Sequence, residues 1–500
     1  MICVVIGRTR HKMVQIEIQE AAKRGAGMIE VRLDFLAKAP DFARLLEDKP
    51  CALVATVRRQ PDGGRWTGNE EARRMLLRQA VVAGFDWVDL ETDVADDIRR
   101  YKDVKRIVSY HNLQEVPADL EKVYARMCNQ DPDVVKLAVT ATRPSDNLRL
   151  LDLLKNPAKP TVALCMGDLG APSRVLAGKY GAPFTYAAFN KERGIAPGLI
   201  SFDELMRVYR YEEVNADTAV YGVVGDPVAQ SLGPLVHNTA FRKLGIDAVY
   251  VPFRVPRGDL EAFLINFARI PVRGYSITIP HKEAAIAAAK QRQPAVTLVQ
   301  AANTLVHGPD GFTAYNTDFD AARESVLANL PHLSGGELGG LKGRTVLLLG
   351  AGGAARAVAH ALHDTGALVT IANRTPDKAQ RLAEEVGCRY LPWEDRHRVL
   401  CELLVNCTSI GMHPNLDEMP VHVSMLKSDL TVFDTVYNPE HTLLIKEARE
   451  HGCQVLTGVD MFVRQAAMQF QLFTGKEAPV DTMRKAVKRA LSPVTLRDDE

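Results

Sequence analysis

Val134-Val135-Lys136-Leu137-Ala138-Val139-Thr140 is an apolar run of strand length with one lysine near its centre. It holds no Gly or Pro and is rich in β-branched residues, so it reads as a buried strand. A charge inside such a strand is costly unless it is paired or used. Similar runs recur on both sides of it. Residues 2–7, 28–35, 51–58, 86–92 and 106–111 come before, and 161–166 and 184–189 come after. Together they make eight strands in about 200 residues, each separated by room for one helix, which predicts a (β/α)8 barrel.

Barrel sites form where several strands end at the C-terminal face. Those ends are rich in chemistry. Strand two carries Glu30, Arg32 and Asp34 at one parity, so all three face one side. Strand three ends in Arg58, strand four carries Asp89 and Glu91, and strand five ends in His111. Any one of these could belong to a buried ion-pair network that merely fills the barrel. The set as a whole points to a site. Beside Arg32 and Arg58, desolvation and like charge should disfavour the ammonium form of Lys136 and leave a nucleophile for ketones. His111 suits general acid and base work, and Glu91 could orient its ring. The arginines suit a carboxylate on the substrate. The residues therefore describe a Schiff-base enzyme, lyase or aldolase, acting on a small keto acid.

The whole chain has 500 residues, 46% of them hydrophobic and 25% charged. These are globular values and exclude a disordered or fibrous chain. Lys plus Arg is 62 against 61 Asp plus Glu, without blocks of like charge, so no nucleic-acid or membrane-surface partner is indicated. No apolar run reaches the ~18 residues of a membrane span, and the first apolar stretch is too short for a signal peptide. The eight cysteines are scattered with no Cys-x-x-Cys. Buried thiols in a reducing, cytoplasmic setting are expected, with no metal site and no disulfides.

Residues 211–217 turn polar and mark a junction. Beyond it strands and helices alternate again, and the Gly-rich stretch 330–344 suggests a connection between lobes. A strand at 345–350 then runs into Gly350-Ala351-Gly352-Gly353-Ala354-Ala355 and an alanine-rich helix. In this strand–turn–helix setting Gly350 permits the tight turn and Gly352 a close approach of pyrophosphate. Ala355 permits close helix packing, and the helix start at Gly353 and Ala354 meets the phosphates. Further strands at 368–373, 403–408 and 431–436 continue a parallel, doubly wound sheet. Strand 368–373 ends in Asn373-Arg374-Thr375, with Lys378 one turn on. An acidic residue there would favour NAD. An arginine suits the 2′-phosphate of NADP. The lobe between carries polar bursts at Ser231, Thr278 to Lys282, Asn303 and Asp318, which singly read as turn or helix-surface residues.

Two resemblances sharpen this. Glu30-Val31-Arg32-Leu33-Asp34, Ser109-Tyr110-His111, Val135-Lys136-Leu137-Ala138 and Ser173-Arg174 resemble the signatures of type I 3-dehydroquinate dehydratases, over about residues 1–209. The resemblance implies an imine between Lys136 and the substrate ketone, His111 as acid and base, and Glu91 as its positioner. It also implies Arg174 as carboxylate ligand, with Glu30, Arg32 and Arg58 as hydroxyl and charge partners. One departure stands out. Family members usually read Ser-Ala-Pro-Gly-Gln after strand eight, and this chain reads Ile195-Ala196-Pro197-Gly198-Leu199.

The second half, from about Ala219 to Leu491, resembles shikimate dehydrogenases. The carrying motifs are Ser231-Leu232-Gly233-Pro234, Thr278-Ile279-Pro280-His281-Lys282, Ala302-Asn303-Thr304, Tyr315-Asn316-Thr317-Asp318, Asn406-Cys407-Thr408-Ser409, and Gly458 through Gln465-Ala466-Ala467. The resemblance implies Lys282 and Asp318 as catalytic pair, with Ser231, Thr278, Asn303 and Gln465 as substrate ligands. Asn373, Arg374, Thr375 and Lys378 would form the adenosine-phosphate site, and Thr408, Ser409, Met412 and Met461 would lie along the cofactor near its nicotinamide end. Gly233 replaces a serine the family usually has, an opening that would admit quinate as a second substrate.

The expected organisation is a barrel over 1–213, a linker over 214–218, a substrate-binding lobe over 219–335, an NADP-binding Rossmann lobe over 336–475, and a C-terminal helix and tail over 476–500. The expected function is consecutive chemistry: 3-dehydroquinate to 3-dehydroshikimate, then NADPH-dependent reduction to shikimate. Two other readings stand beside it: an unrelated aldolase fused to another NADP reductase, and a non-catalytic metabolite sensor on the same folds. A sensor should have lost its catalytic groups, and this chain has not. The sequence leaves the oligomeric state open.

Overall fold

A computed structural model describes residues 1–329 and 341–492. Most of the Gly-rich connection, the lobe boundary expected at 335/336, and tail residues 493–500 lie outside the described residues. Contacts divide the chain into two units. One holds Met1–Val220, Pro227–Ala229 and Asp247–Pro271, and the other Tyr221–Asp226, Gln230–Ile246 and Val272–Glu500. Within the first unit the carboxylate of Asp247 accepts from Asn215 at 3.3 Å and Thr218 at 2.7 Å.

The first unit is built on eight parallel strands: β1 Ile2–Ile6, β2 Met28–Arg32, β3 Ala52–Thr56, β4 Trp87–Glu91, β5 Lys105–Asn112, β6 Val134–Thr140, β7 Thr161–Met166 and β8 Thr185–Ala188. They pair in the order β7-β6-β5-β4-β3-β2-β1-β8, a nearly closed barrel. At the open seam the Cys165 amide of β7 donates to Ser173 Oγ at 2.8 Å. A side chain thus satisfies a backbone group that a β8 carbonyl would otherwise take. The lower interior is apolar, with Cys3, Met28, Val54, Ile107, Val134, Val162 and Phe184 in one cluster. Glu30, Asp89, Ser109 and Lys136 follow at the same inward parity, one pleat further along their strands.

One β/α unit departs from the expectation. β4 and β5 are joined by a 3-10 turn, Ala95–Asp97, without an α-helix. The connection carries Asp93, Asp96, Asp97, Arg99 and Arg100, and its apolar residues Val94, Ala95 and Ile98 are buried by this short turn alone. Its carbonyls are instead held by Arg106, which donates to Ile98 O at 2.8 Å and Ala95 O at 2.6 Å.

Two six-stranded sheets follow. β9 Ala219–Gly225, β10 Ala248–Arg254, β11 Val272–Ile277, β12 Ala289–Arg292, β13 Thr304–Gly308 and β14 Gly311–Tyr315 form a mixed sheet in the order β10-β9-β11-β13-β14-β12. β15 Thr345–Leu349, β16 Leu368–Asn373, β17 Arg389–Pro392, β18 Leu403–Asn406, β19 Thr431–Asp434 and β20 Gln454–Leu456 form a parallel sheet in the order β17-β16-β15-β18-β19-β20. This is the Rossmann order 3-2-1-4-5-6, with its switch point between β15 and β18. The two outermost strands, β17 and β20, were not predicted. They are four and three residues long and hold few apolar residues.

Candidate active sites

In the barrel, Lys136 comes from the middle of β6 and is 5% exposed. Its Nζ donates to Glu30 at 3.1 Å and Asp89 at 2.9 Å and lies 4.0 Å from the centre of the Tyr186 ring. Arg32 and Arg58, expected beside the lysine as like charges, are themselves held by carboxylates. Arg32 is held in a two-point bond by Asp34, at 2.9 and 2.8 Å. Arg58 is held by Asp89 and Glu91, both at 2.8 Å. The reason is economy of charge: the buried cations and carboxylates share partners, and Glu30 and Asp89 fill the space beside the lysine.

Burial opposes the charge on Asp89, but Arg58 and Lys136 outweigh it and hold the carboxyl well below the usual carboxylate range. The surrounding barrel wall and the positive charges of Arg58 and Lys136 hold His111 well below an ordinary histidine. Its imidazole is therefore neutral at neutral pH and able to accept a proton. His111 Nδ1 has no hydrogen-bond partner. Glu91, expected to orient His111, does not do so: its oxygens go to Arg58 at 2.8 Å and Arg73 at 2.6 Å. Two cationic donors outcompete a neutral ring for one carboxylate.

Arg174 lies on the short helix Ala171–Leu176 and is 1% exposed. Among the described residues it has no carboxylate partner, only a long contact of 3.5 Å to Pro197 O, and its Nε is unsatisfied. Burial pushes its guanidinium down to about 10. A buried cation without a counter-ion is a ready site for a ligand carboxylate. Ile195 and Leu199 pack against the apolar barrel cluster. A cavity of about 280 Å³ among the loops after β1, β2, β3 and β8 is lined by Gly7, Phe35, Arg65 and Ile195.

Sequence reasoning noticed Asp89 but gave it no role, and it overlooked Tyr186 and Arg73. The parity of Tyr186 with Phe184 was a usable signal. Arg73 carried none, since an arginine on an amphipathic helix reads as surface.

In the second unit, Lys282 follows β11 and donates to Asp318 at 2.6 Å, with the two side chains 16% and 12% exposed. Asp318 opens the helix Thr317–Asn329, where the helix dipole favours a negative charge. A Cβ placed on Gly353 would lie 3.5 Å from Cδ of Lys282. The lysine pair and the glycine-rich turn are therefore side by side. Gly350 has φ +115°, and a Cβ there would meet the Cys407 carbonyl at 2.7 Å, so only glycine fits. Gly352 faces open space, and the helix Gly353–Asp364 starts behind it with Ala355 fully buried. These residues fit a dinucleotide pyrophosphate. Arg374, Thr375 and Lys378 are exposed beyond β16, and neither cation has an ion-pair partner among the described residues. Asn373 donates to Thr375 O at 3.0 Å, which shapes that turn.

The remaining ligands divide. Thr278 is half-buried, its amide bonded to Val224 O at 2.9 Å. Ser231 Oγ accepts from the Gly233 amide at 3.1 Å. Gln465 is half-buried on the helix Gly458–Thr474. Thr408 is tied to Asn406 at 2.7 Å, and Ser409 and Met412 are exposed after β18. Two expected residues are committed elsewhere. The Asn303 amide is taken up by Thr317 and Thr304, because the start of β13 lies beside the first residue of the helix Thr317–Asn329, which Asn316 caps through the Phe319 amide. Met461 is 7% exposed within the core of the nucleotide lobe.

All eight cysteines are free. Among the described residues no helix is long and apolar enough to cross a membrane.

Family models match in the same order as these elements. Type I 3-dehydroquinase matches residues 2–216, the shikimate dehydrogenase substrate binding domain 223–305, shikimate / quinate 5-dehydrogenase 333–434, and the shikimate 5'-dehydrogenase C-terminal domain 458–488. The chain is 36% identical over 501 residues to the bifunctional 3-dehydroquinate dehydratase/shikimate dehydrogenase, chloroplastic, of Arabidopsis thaliana, covering 96% of this chain and 83% of that one. It is 41% identical to the NADP(+) shikimate dehydrogenase of Methanosarcina mazei, over 54% of this chain and 98% of that one. A solved shikimate dehydrogenase in complex with NADP+ aligns at TM-score 0.51 and 32% identity, over 56% of this chain and 97% of that one.

Proposed function

This chain belongs to the family of bifunctional 3-dehydroquinate dehydratase/shikimate dehydrogenases, and on that footing we propose that Lys136 and Lys282 are its two working lysines. It is a lyase and an NADP-dependent oxidoreductase of the shikimate pathway, which makes aromatic amino acid precursors. Neither the sensor reading nor the aldolase reading is kept.

In the barrel the Lys136 amine attacks the C3 ketone of 3-dehydroquinate, and water leaves as the imine forms. The imine withdraws electrons and acidifies the neighbouring C2–H. His111, held neutral, takes that proton and returns it to the departing C1 hydroxyl, which leaves as water. Hydrolysis then frees 3-dehydroshikimate and the lysine. Arg174 binds the substrate carboxylate, while Glu30, Arg32 and Arg58 shape the polar wall around the ring. Glu91 serves this site through the arginines. Lys136 carries the reading: it is an enclosed lysine bonded to two carboxylates, and His111 lies one pleat further along the neighbouring strand.

In the dehydrogenase half Lys282 gives a proton to the carbonyl oxygen of 3-dehydroshikimate, and Asp318 holds the lysine in place. Ser231, Thr278 and Gln465 hold the substrate. Gly350, Gly352, Gly353 and Ala354 receive the pyrophosphate, Arg374 and Lys378 the 2′-phosphate, and Thr408, Ser409 and Met412 the nicotinamide end. When bound there, NADPH supplies the hydride.

The domain limits we propose are 1–213, 214–218, 219–335, 336–475 and 476–500, with a cytoplasmic location supported by eight free thiols. The deciding experiment mixes 3-dehydroquinate with NADPH and follows enone absorbance and NADPH loss together. Borohydride trapping then finds the modified lysine. An adduct elsewhere than Lys136 overturns the assignment.

A further inference from the structure

We propose that Arg73, on the outer helix Glu70–Ala83, is a positioning residue for Lys136 that acts through a chain of alternating buried charges. The chain is continuous. Glu70 pairs Arg73 at 2.6 Å and Arg73 pairs Glu91 at 2.6 Å. Glu91 pairs Arg58 and Arg58 pairs Asp89, each at 2.8 Å. Asp89 pairs Lys136 at 2.9 Å, and Lys136 pairs Glu30 at 3.1 Å. Every group inside Glu70 is enclosed: the side chains of Arg73 and Asp89 are 0% exposed, Arg58 3% and Glu91 4%. Arg73 also donates to the Val57 carbonyl at 3.0 Å, directly before Arg58. A helix on the outside of the barrel therefore reaches through to the charge balance at its centre.

Buried charges compensate one another locally, so losing one cation is felt along the chain. Without Arg73, the carboxylate of Glu91 keeps Arg58 as its remaining partner. Arg58 is drawn toward Glu91, Asp89 turns more fully to Lys136, and the potential there becomes more negative. That stabilises the ammonium, whereas imine formation needs the free amine. The titratable and charged groups facing Lys136 are Glu30 from β2, Asp89 from β4, Arg58 after β3, His111 from β5, Tyr186 from β8 and Cys3 from β1. Burial raises the Tyr186 phenol and the Cys3 thiol, and Asp89 stays ionised. These three do not change charge near neutrality.

The proposal rests on Lys136 as the imine lysine, and the test separates the two ideas. In the full-length protein, borohydride trapping of 3-dehydroquinate on Lys136 and dehydratase kcat/KM are both measured across pH. The acid limb of both should move up by about half a unit or more in Arg73→Met. It should move down in Glu91→Gln, which removes the negative charge instead. It should return close to the native position in the double variant, where no buried charge is left alone. Arg73→Lys, which keeps the charge, should leave the limb in place. A merely structural role would lower kcat and the melting temperature without opposite shifts. If Arg73→Met fails to fold, the Glu91→Gln and Arg73→Lys profiles decide. An unmoved limb in Glu91→Gln, with the adduct still on Lys136, overturns the proposal. No adduct on Lys136 in the native protein overturns the imine assignment itself.

Discussion

The two lysines of this chain sit in contrasting surroundings. Lys136 lies mid-strand with its side chain 6% exposed and two carboxylates bonded to it, while Lys282 lies after a strand end, 16% exposed, with one. The first is enclosed within the barrel. It suits a bond that must form, persist through a proton transfer and then hydrolyse, with His111 beside it to move the protons. The second lies next to the glycine-rich turn at Gly353 and needs only to hold one proton in place. The comparison teaches that a lysine's task is set by enclosure and by the number of acids that share it, not by the presence of an acid.

The largest effect expected from this contrast is at Lys136. Lys136→Ala should cost dehydratase turnover at least about 10³-fold, because the covalent route is lost outright. NADPH-dependent reduction of added 3-dehydroshikimate should be unchanged in the same preparation. Measurable loss of both activities would show that the two sites are not separate.

Lys282→Met should lower dehydrogenase kcat by about 10²–10⁴-fold, the range for a lost general acid. Asp318→Asn should cost less, since the lysine stays. A Lys282→Met enzyme whose KM rises while kcat holds would mark this lysine as a binding residue and break the contrast.

Arg374→Asp probes the cofactor end. A hydrogen bond to a charged group is worth about 1.5–3 kcal/mol. The NADPH KM should therefore rise at least about tenfold while NADH is little affected. Equal changes for both cofactors would show that Arg374 does not read the 2′-phosphate.

The smallest effect is on stability against pH, and its sign differs between the regions. His111 has a folded pKa below its unfolded value. Its contribution is therefore present above about pH 6.5 and is lost as pH falls below that. Asp434 goes the other way: burial raises its carboxyl to about 6 from 3.8, so its contribution is present at low pH and is lost as pH rises through that window. His111→Gln should flatten the acid side of the melting curve against pH, and Asp434→Asn should flatten the fall in stability between about pH 4 and 6. Scanning calorimetry of the two variants checks both signs.

All eight barrel strands were legible in the residues, because inward alternation and strand-length apolar runs are local patterns. So was the nucleotide turn, since Gly350, Gly352 and Ala355 answer a local steric demand. The helix missing between β4 and β5 was not foreseen, because Val94, Ala95 and Ile98 have helical spacing and are buried there by a 3-10 turn instead. The short edge strands β17 and β20 bury too little to leave a pattern.

Residue types and their parity thus determined from sequence alone which side chains could face the barrel interior and which lysines were worth testing. Only the tertiary structure decided who pairs with whom. Glu91 had three candidate partners within the same barrel and took two arginines. Asn303 had the chemistry of a ligand, and its amide is bonded to Thr317 and Thr304. Arg73 looked like a surface residue and proved fully buried. Partner choice among buried charges depends on distances between strands far apart in the chain and on desolvation that only a closed fold imposes. Periodicity along one strand carries no information about either.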